Sequence, residues 1–185
     1  YSFYTGGGST FNSEFAVNTG FITPMSYTKN AYQFNRNEFP NTLAKLFKNE
    51  GYSVNAFHMN DGEYYSRRAN YKNWGYDEYY GLKEDDVYED DSYELDRELI
   101  LNEKFNNLLF NTEGKFLHYL ISYSTHTPFT KNKGVCKMLY NLDNEQILLD
   151  NPEAIIEEVE MTEEDCARRQ AQETDYMMQL LLENL

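Results

Sequence analysis

A hydroxyl that could act as a nucleophile follows a glycine run near the start of the chain. In GGGSTFNSEF, residues 6–15, Thr10 comes after the glycines, and Phe11 and Phe15 follow at helical spacing. A helix beginning just after Thr10 would put this hydroxyl where backbone N–H groups and the helix dipole favour an anion. Thr10 is thus a candidate nucleophile, although a threonine at this position is more often a helix cap.

Three other side chains could bind the same anion. His58 ends one predicted strand, His126 follows another, and Arg67 lies nine residues after His58. Ligands of open α/β sheets bind beyond the carboxyl ends of the strands, so these groups are expected at one edge. A guanidinium can bind phosphate or sulfate through two hydrogen bonds. Singly, each residue is more often a structural or solvated group, and only the combination indicates an anion site.

The first half of the chain is patterned as helix, glycine and strand. The helix has Pro40 near its first turn and Gly51 as its cap, and a strand over residues 52–60 follows. Residues 84–94 are acidic and are predicted to form a solvated loop. The apolar face predicted for the helix holds Leu43, Leu46 and Phe47.

The second half predicts a long amphipathic helix ended by Gly114 and a buried strand over residues 116–123. Residues 131–150 have no clear pattern, and Asp150 before Pro152 is predicted to start a short acidic helix. Thr162 with Asp165 resembles a capping box for a final helix. The order of elements favours an α/β fold with a mixed or parallel sheet and helices on both faces. The leucines that mark the long helix are Leu95, Leu99, Leu108 and Leu109.

The charge of the chain limits its partners. The 185 residues include 16 lysines and arginines against 31 aspartates and glutamates, a formal net charge of −15. Such a chain offers no basic stripe for a nucleic-acid backbone, so no nucleic-acid partner is expected. It also disfavours loose adsorption to an anionic bilayer.

Two cysteines, Cys136 and Cys166, are too few for a disulfide scaffold and lack the spacing of a zinc site. They could pair with each other in an oxidising compartment or stay reduced, and the sequence leaves both open. No apolar run is long enough to span a membrane.

Four ordered motifs resemble the lipoteichoic acid synthases and related phosphoglycerol transferases, in the sulfatase branch of the alkaline phosphatase superfamily. They are GGGSTFNSEF, FPNTLAKLFKNEGYSVNAFH, YYSRRANYKNWGYDEYY and LISYSTHTPF. The resemblance covers most of residues 6–129. It implies a partial alkaline-phosphatase or sulfatase-like α/β fold, with a mixed, mostly parallel sheet and with residues 1–185 as one fragment of the extracellular catalytic domain.

The resemblance also implies roles for individual residues. Thr10 would be the nucleophile and a metal ligand, while His58, Arg67 and His126 would bind the phosphate and glycerol of the substrate. Tyr65 stands where the family has a tryptophan and would also face the substrate. Arg68 and Ser9 replace the family's aspartate and lysine, so the acceptor does not follow from the motifs. Glu14 and Phe15 would be supporting helix positions.

A divalent metal, Mn²⁺ or Mg²⁺, is implied for the complete domain. The family holds it with a glutamate before this segment and an Asp-His pair after it, which are expected before Tyr1 and after Leu185. A metal lowers the pKa of a threonine hydroxyl, which is otherwise a poor nucleophile. The chain alone is therefore expected to be inactive.

The resemblance implies a membrane-anchored enzyme of the cell envelope that acts on the extracellular face of the membrane. It would move glycerol phosphate from phosphatidylglycerol, or a similar anionic lipid head group, to a glycerol-phosphate polymer or glycan. A sulfatase or a phosphoethanolamine transferase of the same superfamily is the closest enzymatic alternative. A non-catalytic domain that binds polyols or sugars through its tyrosines is the alternative from a different class.

Overall fold

The computed structural model describes residues 9–22, 30–82, 94–110 and 113–185. The acidic loop predicted over residues 84–94 lies outside this part, except for its last residue. The described residues form two compact units. The sheet unit holds those up to residue 82 together with 113–121, and the helical unit holds 94–110 and 122–185.

The sheet unit contains three parallel strands: β1 (Ser53–Asp61), β2 (Glu78–Leu82) and β3 (Phe116–Ile121). Their order is β2-β1-β3, with Ser53 opposite Phe116 and His58 opposite Ile121. The predicted α/β fold with a parallel sheet is thus confirmed. β1 lies in the centre, and its Val54, Ala56, Phe57, His58 and Met59 are buried.

One strand was not predicted from the sequence, and the bounds of another need correction. β2 was not predicted, because its five residues, EYYGL, have neither a clear alternation nor an apolar run. The strand predicted over residues 116–123 ends at Ile121 and is only partly buried. It pairs with β1 on one side only among the described strands, which leaves its polar and aromatic side chains half exposed.

Three helices belong to the sheet unit: α1 (Thr10–Thr19), α2 (Leu43–Asn49) and α3 (Arg67–Trp74). The predicted start of α1 is confirmed, and its Phe11 and Phe15 pack against Trp74 with ring centroids 5.5 and 6.1 Å apart. These aromatic contacts fix α1 against α3. Short 3₁₀ turns occupy Ala31–Phe34 and Tyr64–Ser66.

The apolar face predicted for α2 is wrong for Leu46 but not for Phe47, which packs against the core. Ala44 is its buried residue, whereas Leu46 is 54% exposed. The helix starts at Leu43 rather than near Pro40, because the buried Thr42 caps it by accepting a hydrogen bond from the Lys45 N–H. Thr42 also donates to the Trp74 carbonyl, which fixes the start of α2 against the end of α3.

The helical unit contains α4 (Glu98–Leu101), α5 (Glu103–Phe110), α6 (Gly134–Asp150) and α7 (Glu163–Glu183). The long helix predicted to end at Gly114 is two helices, because Asn102 adopts an extended backbone. Its side-chain oxygen accepts from the Lys104 and Phe105 N–H groups and so caps α5. The Thr162–Asp165 capping box of α7 is confirmed.

One helix was not predicted from the sequence, and one helix prediction was wrong. Residues 131–150 lacked a clear pattern, yet they contain the whole of α6, a helix of 17 residues. The short acidic helix predicted from Asp150 is absent, since residues 151–161 are not helical. Pro152 cannot donate a backbone hydrogen bond to the turn before it, and the many acidic side chains that follow repel one another.

A disulfide between Cys136 on α6 and Cys166 on α7 resolves the choice that the sequence left open. Both residues are fully buried, and their Cα atoms lie 5.4 Å apart. The bond therefore joins the two longest helices of the helical unit. Among the described residues, no helix is both long and apolar enough to cross a bilayer.

Replacing both cysteines with serine is expected to destabilise the helical unit by about 2–4 kcal/mol, the usual contribution of a native disulfide. The bond closes a loop between residues 30 positions apart and so restricts the unfolded chain. Calorimetric unfolding of the oxidised wild type and of the double variant measures this difference in the free energy of unfolding. A reducing agent should lower Tm in the wild type only, and equal Tm values for the two oxidised proteins would contradict the expectation.

Candidate functional site

The start of α1 presents the Thr10 hydroxyl at a helix end that its N-cap residue, Ser9, does not cap through its side chain. Ser9 holds the capping position without making a side-chain cap bond, and Thr10 is the exposed first residue of the helix. Thr10 is therefore not the N-cap residue, although that is the more common structural role of a threonine at a helix start. The first turn has no acidic residue, so the helix dipole there favours an incoming anion.

One turn further along α1, Glu14 is buried and paired with Arg67. Arg67 Nε and Nη2 donate to Glu14 Oε2 and Oε1 at 3.0 and 2.7 Å, and the Tyr71 hydroxyl donates to Oε2 at 3.0 Å. The side chains of Arg67 and Glu14 are only 3% and 4% exposed. Such a fork-shaped pair fixes both the position and the plane of the guanidinium.

The surroundings set the charge states in this pair. Burial alone would lower the pKa of Arg67, but the hydrogen bonds and charge of Glu14 outweigh it and raise this pKa above its ordinary value. Burial, reinforced by the charge of Glu14, raises the pKa of Tyr71 well above its ordinary value. Arg67 therefore stays protonated, and Tyr71 stays a neutral hydrogen-bond donor.

Tyr65 lies beside the start of α1 on a strained backbone. Tyr65 and Ser66 both have left-handed conformations, with φ of 61° and 49°. Outside glycine such conformations cost about 1–3 kcal/mol each and cluster at functional sites. The Tyr65 ring lies 5.9 Å from that of Phe11 and 5.2 Å from the Arg67 guanidinium carbon. The strain thus brings an aromatic ring next to both Arg67 and the neighbour of Thr10.

Asn70, which is fully buried, holds this kink in place. Its side-chain amide donates to the Ser66 and Tyr32 carbonyls, each at 3.1 Å. Neither Asn70 nor Tyr71 was identified from the sequence. A signal was present for Tyr71, which follows Arg67 by four residues and so shares its face of α3.

His58 lies where β3 ends beside β1 and is 3% exposed. Its Nδ1 lies 2.8 Å from the Ile121 carbonyl oxygen, which can only accept, so Nδ1 carries a proton and donates it to this oxygen. This hydrogen bond fixes the ring orientation beside the end of β3. The sequence predicted that His58 ends its own strand, whereas β1 continues to Asp61.

His126 belongs to the helical unit, where it is exposed in the turn after β3. The turn is held by two buried side chains, which the sequence did not identify. The Asp96 carboxylate accepts from the Tyr123 and Ser124 N–H groups, and Gln170 donates to the Ser124 and His126 carbonyls. Burial raises the pKa of Asp96, although the hydrogen bonds that it accepts from Ser124 and Tyr123 oppose the shift. The turn that leads to His126 is therefore held by hydrogen bonds to Asp96 and Gln170.

The residues that the structure describes do not form a metal site by themselves. No group of three or more histidine, cysteine, aspartate or glutamate side chains in this part of the chain could hold a metal ion. Of the ligands implied by the resemblance, only the Thr10 hydroxyl is in the described residues. A metal bound at Thr10 would therefore need its other ligands from outside them.

Comparison with known proteins decides the family. The family model described as Sulfatase matches residues 1–185. The chain belongs to the sulfatase family. This confirms the sulfatase branch indicated by the four motifs.

Two solved structures resemble this sulfatase-family chain. The lipoteichoic acid synthase LtaP from Listeria monocytogenes is 23% identical with a TM-score of 0.67, covering 97% of this chain and 41% of its own. An alkaline phosphatase superfamily protein from Vibrio parahaemolyticus is 17% identical with a TM-score of 0.60, covering 96% and 40%. At these identities, both structures show only that the fold is similar. The chain spans about two fifths of the length of each.

A curated relative from Rhizobium meliloti (strain 1021) is named for the modification of cyclic beta-1,2-glucan. It is 41% identical over 73 residues, which are 38% of this chain and 11% of the relative.

Proposed function

We propose that this chain carries the nucleophile and part of the substrate site of a phosphoglycerol transferase. The observation that carries the proposal is the exposed Thr10 hydroxyl at the start of α1, where Ser9 makes no side-chain cap bond, one turn before the buried Glu14–Arg67 pair. A hydroxyl, oriented backbone N–H groups and a fixed guanidinium together match the needs of phosphoryl transfer. Threonine also favours phosphate over sulfate transfer, because sulfatases usually use a modified cysteine or serine.

The transfer takes two steps. The Thr10 oxygen attacks the head-group phosphorus, the bond from phosphorus to the diacylglycerol oxygen breaks, and diacylglycerol leaves with a proton. A hydroxyl of the acceptor then attacks the glycerol phosphate on Thr10, and the threonine hydroxyl forms again. The start of α1 would stabilise the negative oxygens in both steps.

Arg67, Tyr65 and His58 would bind the donor around that phosphate. Arg67 supplies N–H donors, Tyr65 supplies a ring against which glycerol can pack, and His58 supplies a ring nitrogen of fixed orientation. His126, which belongs to the helical unit, is proposed as a further substrate-binding residue only because the LISYSTHTPF motif contains it.

The complete domain is expected to need a divalent cation, Mn²⁺ or Mg²⁺. The Thr10 oxygen is the ligand that this chain would contribute, and the other ligands would lie outside it. When bound, the cation would lower the pKa of the attacking hydroxyl and neutralise phosphate charge.

The expected setting is the extracellular face of the cell membrane, with a membrane-anchored complete protein. The Cys136–Cys166 disulfide supports this, because disulfides persist in oxidising compartments. The acceptor would be a glycerol-phosphate polymer or a glycan, in keeping with the names of the two relatives, one a lipoteichoic acid synthase and the other a glucan modification protein.

A comparison of donors tests the proposal. The complete protein with Mn²⁺ is expected to release diacylglycerol from phosphatidylglycerol at least about tenfold faster than from phosphatidylethanolamine, since a pocket that hydrogen-bonds a hydroxyl rejects groups that cannot match it. An aryl sulfate is expected to be a poorer substrate still. Preference for phosphatidylethanolamine or for the sulfate would replace the proposal with one of the two enzymatic alternatives. Binding of polyols without any turnover would favour the non-catalytic one.

A further inference from the structure

One nitrogen of the Arg67 guanidinium does not take part in the pair with Glu14. Two of its three nitrogens, Nε and Nη2, are bonded to Glu14. The third, Nη1, is buried and has no hydrogen-bond partner among the described residues. Buried N–H groups without an acceptor are rare in native proteins and destabilising, so Nη1 is suited to an acceptor supplied by a ligand.

The pair is close to the candidate nucleophile. Glu14 follows Thr10 by four residues on α1, so the two share a helix face about 6 Å apart along the axis. Because the guanidinium is bonded directly to Glu14, Arg67 lies about one helical turn from the start of α1. A phosphate bound at that helix end would therefore lie about one helical turn from the guanidinium.

The pairing also changes what Arg67 can offer. Glu14 cancels its charge locally, so Arg67 contributes directed N–H bonds rather than net positive charge. Its plane is fixed by the two bonds to Glu14, and the Tyr65 ring lies 5.2 Å from the guanidinium carbon. The Tyr71 hydroxyl fixes Glu14 in turn. The guanidinium is therefore held before a ligand arrives.

We propose that Glu14 is a positioning residue, which orients Arg67 so that Nη1 is the nitrogen that binds the donor phosphate. This rests on the proposed function for the identity of the phosphate. Glu14 touches no substrate itself. Because Nε and Nη2 are already bonded to Glu14, Nη1 is the nitrogen left to donate to the phosphate. The two bonds also hold the guanidinium in a single plane.

The test is a double-mutant cycle on ligand affinity in the complete protein, with glycerol phosphate as the probe in isothermal titration calorimetry. Glu14→Gln is expected to weaken binding about tenfold, because the amide cannot accept from both nitrogens as the carboxylate does. Arg67→Lys is expected to weaken it at least as much. The double variant is expected to bind no worse than Arg67→Lys alone. Glu63→Gln, which removes an exposed pair with Arg68, is the matched control and should bind as the wild type does.

Each outcome decides the proposal. Additive losses in the double variant, an equal loss in Glu63→Gln, or no binding by the wild type would overturn it. If Glu14→Gln fails to fold, Tyr71→Phe takes its place, with an expected loss of about two- to fivefold that disappears in the Arg67→Lys background. Diacylglycerol release is measured in parallel. A wild type that shows the coupling but releases no diacylglycerol would disprove the proposed function and keep the positioning role.

Discussion

Replacing Thr10 with alanine in the complete protein is expected to lower kcat/KM for diacylglycerol release by about a thousandfold or more, because loss of a nucleophile removes the covalent route. Thr10 is the first residue of α1 and is exposed, so the change leaves the core intact. Affinity for glycerol phosphate should fall much less, since Arg67 and the backbone N–H groups remain. Initial rates with phosphatidylglycerol, together with calorimetric binding, measure both quantities.

Two variants serve as controls for this change. Ser13→Ala removes a different hydroxyl from the same helix, three residues after Thr10, and should leave turnover unchanged. Thr10→Ser keeps a hydroxyl at the helix start and should retain part of the activity. If Thr10→Ala turned over phosphatidylglycerol at the rate of Ser13→Ala, Thr10 would not be the nucleophile. A non-catalytic polyol-binding domain would show no turnover in any of these proteins and unchanged affinity.

The second large effect is expected from Arg67→Met. This change leaves the Glu14 carboxylate buried without its cation, and breaking a buried pair in this way costs about 3–5 kcal/mol of the free energy of unfolding. Replacing both residues with methionine should recover most of that loss, since buried pairs are often replaced by apolar groups without penalty. Calorimetric unfolding of the three proteins measures this. Neither variant should bind glycerol phosphate as the wild type does.

Arg68→Met is the matched control, one residue further along the chain. Its side chain is 48% exposed and pairs with an exposed Glu63, so its removal should change stability by less than about 1 kcal/mol. Equal losses in Arg67→Met and Arg68→Met would show that the Glu14–Arg67 pair has no special role in the fold.

The sequence predicted those parts of the fold whose signals are local. The glycines and the helical spacing of Phe11 and Phe15 indicated the start of α1, and Thr162 with Asp165 indicated the start of α7. β1 has enough apolar residues to be recognised as a central strand. α6 was missed because only Val135, Cys136 and Leu139 are buried on a helix of 17 residues, too few to give a clear period.

The candidate site depends on long-range contacts that spacing cannot reveal. Glu14 and Arg67 are 53 residues apart, and nothing in either segment shows that they pair. The left-handed backbone at Tyr65 and Ser66 was equally unpredictable, because both residue types normally avoid it and only the surrounding packing enforces it. The motifs nevertheless pointed to Thr10, His58, Arg67, Tyr65 and His126, whose roles stay predictions.

The measurement that tests the central claim most directly is peptide mapping of the covalent intermediate. The complete protein is mixed with phosphatidylglycerol and Mn²⁺, quenched in acid within one turnover, and digested for mass spectrometry. We expect one glycerol phosphate on the peptide that contains Thr10, absent in Thr10→Ala and present in Ser13→Ala. An adduct on any other residue, or diacylglycerol release without an adduct, would contradict the assignment of Thr10 as the nucleophile.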